Sequence, residues 1–213
     1  MAAHGKILQL RTLLAERFVQ PPVSPRSQLR THVPLLDAAT DGGLNKGSIT
    51  EIISAQASAG SALLVHALLQ LAQRECFFLA LIDGCDSFDV QSAESNALAH
   101  LLWVRCENTR DAIKAADILL RDGNFPLVIL DLILNPPDEL RRVPATSWYR
   151  LQRLVESAPT ALLVMSRHNM VASARTKILL ENRWSLPDLT RDDATSQLQL
   201  RVRRSPTVAI AAS

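Results

Sequence analysis

The chain has 213 residues, of which 47% are hydrophobic and 4% aromatic, and its net charge is +2. That suffices for one well-buried core and is too little for two ordinary domains plus a linker, so a single domain is expected. The longest nearly apolar run, Ala62 to Ala72, contains His66 and Gln70 and falls short of the roughly 18 residues a membrane span needs. The opening "MAAHGKILQLRTLLAERF" carries Glu16 and Arg17 and no small-residue cleavage site after an apolar block. It does not read as a secretory signal, and a cytoplasmic protein is expected.

In chain order, Ile7, Leu10, Leu14 and Phe18 fall at helical spacing and predict an amphipathic helix over about 6–17. "QPPVSPRSQ" ends it, because three prolines in five residues cannot continue a helix; the segment reads as a linker or a surface arm. "DGGLNKG" is rich in turn residues and leads into a strand, "SITEII". From about Ala59 to Arg74 the chain predicts a helix apolar nearly all round, which implies burial on several sides. "CFFLALID" follows as a buried strand, "SAESNALAHL" as a helix and "LLWVR" as a strand. Asn108 and Asp111 form a capping pair ahead of a helix whose apolar face is Ala112, Ala115, Ala116, Leu119 and Leu120.

"PLVILDLIL" is continuously apolar, as at the centre of a parallel sheet. "TSWYRLQRLVESA" predicts a helix, "TALLVMS" a strand, and "RWSL" and "QLQLRVRR" closing strands. In the last of these Leu198, Leu200 and Val202 share one face. The succession predicts an α/β fold with a mainly parallel sheet between helical layers. Three regions are expected: the helix and proline-rich arm over 1–33, a core domain over 34–204, and a flexible tail over 205–213, where "SPTVAIAAS" shows no packing pattern.

The five histidines are scattered, so no metal site is expected. Cys76, Cys85 and Cys106 are odd in number and lack CxxC spacing; they read as reduced packing residues. No GxSxG or hydrolase triad is evident. Trp103, Trp148 and Trp184 read as core or interface anchors. Trp148-Tyr149 beside Arg150 could stack a base, but Leu151 and Leu154 on the same helix favour packing. Between Leu140 and Leu180, Arg141, Arg142, Arg150, Arg153, Arg167, Arg175 and Lys177 face the single acid Glu156, an excess that can attract a polyanion.

"LLDAATDGGLNKGSITEI", the loop and helix after it, "LALIDGCDSFD", "LLWVRCENTRDAIKAADILLRDGNFPLVILD" and "TALLVMSRHN" together resemble the core of the RecA superfamily of recombination ATPases, over roughly Pro34 to Leu186. The short length and the helix ahead of a proline-rich arm resemble the ImuA subgroup, whose members accompany an inactive polymerase relative and an error-prone replicative polymerase in damage-induced mutagenesis. The resemblance implies a RecA-like three-layer αβα sandwich.

It also implies a phosphate loop at "SAQASAGS". A working loop, GxxxxGK[ST], wraps phosphates with backbone N–H groups, meets them with lysine and holds Mg²⁺ with the hydroxyl. Here Ser54 stands at the first glycine, Ala59 at the second, Gly60 at the lysine and Ser61 at the hydroxyl. Loss of a charged hydrogen bond, about 1.5 to 3 kcal/mol, weakens nucleotide binding roughly tenfold to a hundredfold. The acidic residue that activates water is matched by Cys85, and loss of a general base costs about a hundredfold to ten-thousandfold in rate. Asp131 matches the Walker B aspartate, although a carboxylate there also fits a cap of the next turn.

The loops that approach DNA in RecA-like proteins correspond to "NPPDELRRVPATS" and "RHNMVASARTK". The second supplies Arg167, His168, Arg175 and Lys177 as candidate phosphate contacts; a solvated basic rim is the alternative. The N-terminal helix and arm resemble the segment with which RecA docks on a neighbour, and folding back on the core is the other reading.

The expected function is a non-catalytic RecA-like adaptor in the bacterial DNA-damage (SOS) response. It would support translesion synthesis by binding a RecA-type recombinase, error-prone polymerase components and single-stranded DNA. Ser61 and Asp131 would be a remnant nucleotide site, with no catalytic residue, cofactor, metal or membrane. Two alternatives stand beside it: a weak ATPase using Ser61, Asp131 and either Asp83 or Asp86, and a cell-division inhibitor of the SulA type.

Overall fold

Apolar runs bounded by turn residues become the strands of one central sheet in the computed structural model, which describes residues 28–56, 59–184 and 197–203. A two-residue ladder pairs β1 (Gln28–Leu29) with β2 (Leu44–Asn45) around the short helix α1 (Pro34–Ala39). Then β3 (Ser48–Ile53) leads into α2 (Ser61–Arg74), β4 (Leu79–Asp83) into the one-turn α3 (Ser95–Leu98), and β5 (Leu101–Arg105) into α4 (Thr109–Asp122). The chain continues through β6 (Leu127–Asp131), α5 (Pro137–Arg141), α6 (Ala145–Glu156), β7 (Ala161–Ser166), β8 (Thr176–Leu180) and β9 (Leu200–Val202).

The seven-stranded sheet runs β5-β4-β6-β7-β3-β8-β9. Every pairing in it is parallel except β8 with β9. Both faces of the sheet are covered. Ile52 packs with Leu64 and Leu68 of α2 on one side, while Ile49 packs with Ala112 and Ala116 of α4 and Trp148 and Leu151 of α6 on the other. Covered on both sides, β3, β4 and β7 are buried along their whole length, and β4 and β7 accordingly are almost wholly apolar. The three-layer α/β sandwich expected from the sequence is the fold.

Local signals hold where they are strongest. Asn108 caps α4 by accepting from the Asp111 N–H at 3.0 Å, and Gly123 closes the helix at φ +70°, a conformation glycine reaches without strain.

Other expectations need correction. "SAESNALAHL" yields only the short α3, just after a 3₁₀ turn over Val90–Ser92, since it has no long apolar stripe to bury. "PLVILDLIL" stops being a strand at Asp131, whose carboxylate accepts the Ile133 N–H at 3.0 Å and turns the chain. Strand β8 begins within the stretch read as a basic loop, taking its last two residues, Thr176 and Lys177. Arg183 and Trp184 form no strand. Of the three cysteines only Cys106 is buried; Cys76 and Cys85 are exposed. The helix over 6–17, the arm ahead of Gln28 and the tail over 205–213 lie outside the described residues. Among the described residues no helix is long and apolar enough to cross a membrane.

Candidate functional site

In an open parallel sheet, ligands gather where the loops leave the carboxyl ends of the strands and the strand order reverses. The loop from β3 to α2 occupies that place. At the first glycine position, Ser54 is buried and its hydroxyl donates back into its own loop, to the Gln56 carbonyl at 2.7 Å. Gly60 caps α2 in the left-handed region, at φ +98°. A β-carbon there would stand 2.7 Å from Leu198 Cδ2 and 2.8 Å from Trp184 Nε1. The position that aligns with the phosphate-binding lysine therefore combines a backbone that L-residues rarely adopt with a space already filled by side chains from the end of the sheet. Trp184 Nε1 is buried with no hydrogen-bond partner among the described residues.

Ser61 opens α2, and the fold brings it to one cleft of about 290 Å³ with Asp131, so the two residues proposed as a remnant site share a wall. His66, Phe88, Asp89, Ser92 and Leu134 are among its other lining residues. His66 Nε2 lies 3.0 Å from Ser92 Oγ, which itself donates to the Asp89 carbonyl at 2.9 Å. Burial lowers the His66 pKa, and the Asp89 charge opposes that shift. The sequence had passed over this contact because His66 has no partner at metal-ligand spacing.

Asp131 sits opposite Asp83 in the β4–β6 register. Burial pushes its pKa up from 3.8 to about 6; the Ile133 N–H pulls it down, and the Asp83 charge adds to the rise. Between those two values the folded chain holds a proton that the unfolded chain has released, so stability falls as pH rises from about 4 to about 6. The loss reaches about 3 kcal/mol at 1.36 kcal/mol per unit. Asp131→Asn, whose amide oxygen can still accept the Ile133 N–H, is expected to be more stable than the natural chain above about pH 6 by up to that amount. The gap should close near pH 4. Urea unfolding across this range measures it, and a difference that does not change with pH would contradict a raised pKa for this half-buried carboxylate.

Neither alternative base reaches the cleft. Asp83 is buried and accepts from the Ser87 and Phe88 N–H groups at 2.7 and 2.8 Å, with longer bonds from Ser87 Oγ, the Cys85 N–H and Trp103 Nε1. It organises the loop over 84–88, and Cys85, at the expected place of the catalytic acid, is exposed on that loop. Asp86 is clamped by Arg105, whose Nε donates at 2.5 Å. That hydrogen bond holds the Asp86 carboxyl below the usual carboxylate range. Among the described residues no group of three or more His, Cys, Asp or Glu could hold a metal.

The four candidate DNA contacts do not form one cluster. Arg167 and His168 follow the carboxyl end of β7, whereas the Arg175 N–H donates to the Ile49 carbonyl near the start of β3, at 2.9 Å. Lys177 lies on β8 and is engaged: its ammonium is 3.0 Å from Glu51 Oε2 and 2.5 Å from Asn169 Oδ1. Glu51 is fully buried in the middle of β3, and its Oε1 accepts the Met170 and Val171 N–H groups at 2.7 and 3.0 Å. One carboxylate thus pins the connection from β7 across β3 to β8. The signal was present in the sequence as the only charge in "SITEII".

No family model matches the chain. It is similar to RecA proteins: 31% identical over 141 residues to that of Clavibacter michiganensis subsp. michiganensis, covering 63% of this chain and 39% of the relative. The RecA protein of Streptomyces avermitilis is 27% identical over 148 residues (67% and 39%), and that of Chlorobaculum parvum 31% over 122 residues (55% and 35%). The matches span about two-fifths or less of the length of these curated relatives. Taken with the parallel order of the sheet and the loop and helix after β3, this similarity supports a RecA-like α/β fold for the chain.

Proposed function

We propose that this chain is a non-catalytic RecA-like adaptor of the ImuA kind, supporting translesion synthesis in the bacterial response to DNA damage by binding partner proteins and single-stranded DNA. The observation that carries the non-catalytic reading is Gly60, which stands where the phosphate-binding lysine belongs and has neither the backbone conformation nor the space for a side chain. The placement of Asp83 and Asp86 away from the cleft supports it, since a general base must reach the water it activates. The ImuA-like role rests on the resemblance in length and in the order of parts. Contact with DNA falls to Arg167, His168 and Arg175, with Lys177 tied to Glu51.

Calorimetric titration of Mg-ATP tests the first part. No heat of binding up to millimolar nucleotide is expected. Micromolar binding that is lost in both Ser61→Ala and Asp131→Ala would instead make the chain a weak ATPase with an atypical loop. In parallel, fluorescence anisotropy with a single-stranded oligonucleotide should give an affinity that falls steeply with salt and is weakened by Arg167→Ala and Arg175→Ala. Co-sedimentation with RecA filaments, set against a filament-forming cell-division protein, separates the adaptor from the SulA-type alternative.

A further inference from the structure

On the face of the sheet opposite α2, a groove of about 500 Å³ runs between the start of α4, α5 and the start of α6. Half-buried Ile113 and Val143, with Pro144, give it an apolar lining. Four cations stand around it, Arg110, Lys114, Arg142 and Arg150, all exposed, against one lining carboxylate, Glu139. Glu139 is already engaged, accepting the Thr109 N–H and hydroxyl at 3.0 Å each. Lys114 pairs with Asp111 and Arg150 with Asp117. Arg110 and Arg142 form no ion pair with a described residue, so two guanidinium groups face solvent on the groove's rim.

We propose that this groove docks an acidic peptide segment bearing an apolar anchor, presented by a partner protein. The anchor would displace water from Ile113, Val143 and Pro144, and its flanking carboxylates would meet Arg110 and Arg142, where bidentate geometry suits guanidinium. The charge complementarity selects an acidic partner. Nucleic acid fits less well: single strands are held by stacking their bases on aromatic rings, and no aromatic side chain lines the groove. The groove takes Glu139, Arg142, Val143, Pro144 and Ser147 from "NPPDELRRVPATS", one of the two loops matched to DNA-approaching loops, but none of Ser61, Asp131, Arg167, His168 or Arg175.

The test uses the full chain and a labelled peptide of roughly a dozen residues with a Leu-Phe anchor between Asp and Glu runs, read by fluorescence anisotropy and by methyl NMR shifts at Ile113 and Val143. Binding is expected, with shifts at both methyl groups. Affinity should fall at least about tenfold in Arg110→Glu/Arg142→Glu, and by a similar factor when the peptide's Leu and Phe become Ser. Both arginines are exposed, so the variant should keep its fold, which circular dichroism verifies. Absence of binding, or binding indifferent to either change, overturns the proposal. So does a single-stranded oligonucleotide that shifts the same methyl groups and loses affinity in the double variant, which would make the groove a nucleic-acid site.

Discussion

Replacing Glu51 with alanine is expected to be among the most damaging single changes in this protein, costing about 3 to 5 kcal/mol, the range for breaking a buried ion pair by removing one partner. The Glu51 carboxylate is fully buried and does three things at once: it accepts the Met170 and Val171 N–H groups through Oε1 and balances Lys177 through Oε2. Without it, two amides lose their acceptor, and an ammonium whose side chain is only 13% exposed loses its counter-charge. For a chain of this size the loss corresponds to a fall in Tm of roughly 6 to 20 °C. Lys177→Met should cost less, because the remaining carboxylate keeps both amide donors and methionine replaces most of the lysine stem. Combining Lys177→Met with Glu51→Gln should cost less than the sum of those two changes made singly, since the pair is then removed together. Strict additivity in that cycle, measured by chemical unfolding, would show that the two side chains do not interact.

Gly60→Ala should destabilise the fold by about 2 to 5 kcal/mol, the sum of left-handed backbone strain of roughly 1 to 2 kcal/mol and overpacking of about 1 to 3 kcal/mol. The added β-carbon would meet Leu198 and Trp184 at 2.7 and 2.8 Å, so one of them must move. Trp184 is the natural reporter: Gly60→Ala should shift the tryptophan emission, and the shift should vanish in a Trp184→Phe background. The same geometry bears on any attempt to restore nucleotide binding. Gly60→Lys aligns with the missing lysine, yet it should unfold the chain at lower denaturant without gaining Mg-ATP affinity. A stable Gly60→Lys variant that binds Mg-ATP would mean that the loop rearranges freely and that the site is dormant rather than closed.

Between them, the two residues explain why the region after β3 was only half legible. The stretch "SAQASAGS" itself shows no lysine and a single glycine, Gly60. It could not reveal that Trp184 and Leu198, more than a hundred residues away, fill the space above Gly60. Likewise, reading "RHNMVASARTK" as a basic loop counted charges correctly but missed that Lys177 lies on a strand beside Glu51. Charge is written in composition, whereas whether a charge is free depends on what the fold sets beside it.

The sequence by itself determined the alternation of helices and strands, the parallel sheet buried on both faces and the Asn108 cap. Each of these follows from periodicity, local hydrogen bonding or a motif short enough to be contiguous. Only the tertiary structure decided the strand order, the blocking of Gly60, the engagement of Asp83, Asp86 and Lys177, and the raised pKa of Asp131. Most of these rest on contacts between segments distant in the chain, and in all of them burial and partner geometry, not residue type, fix what a side chain can do.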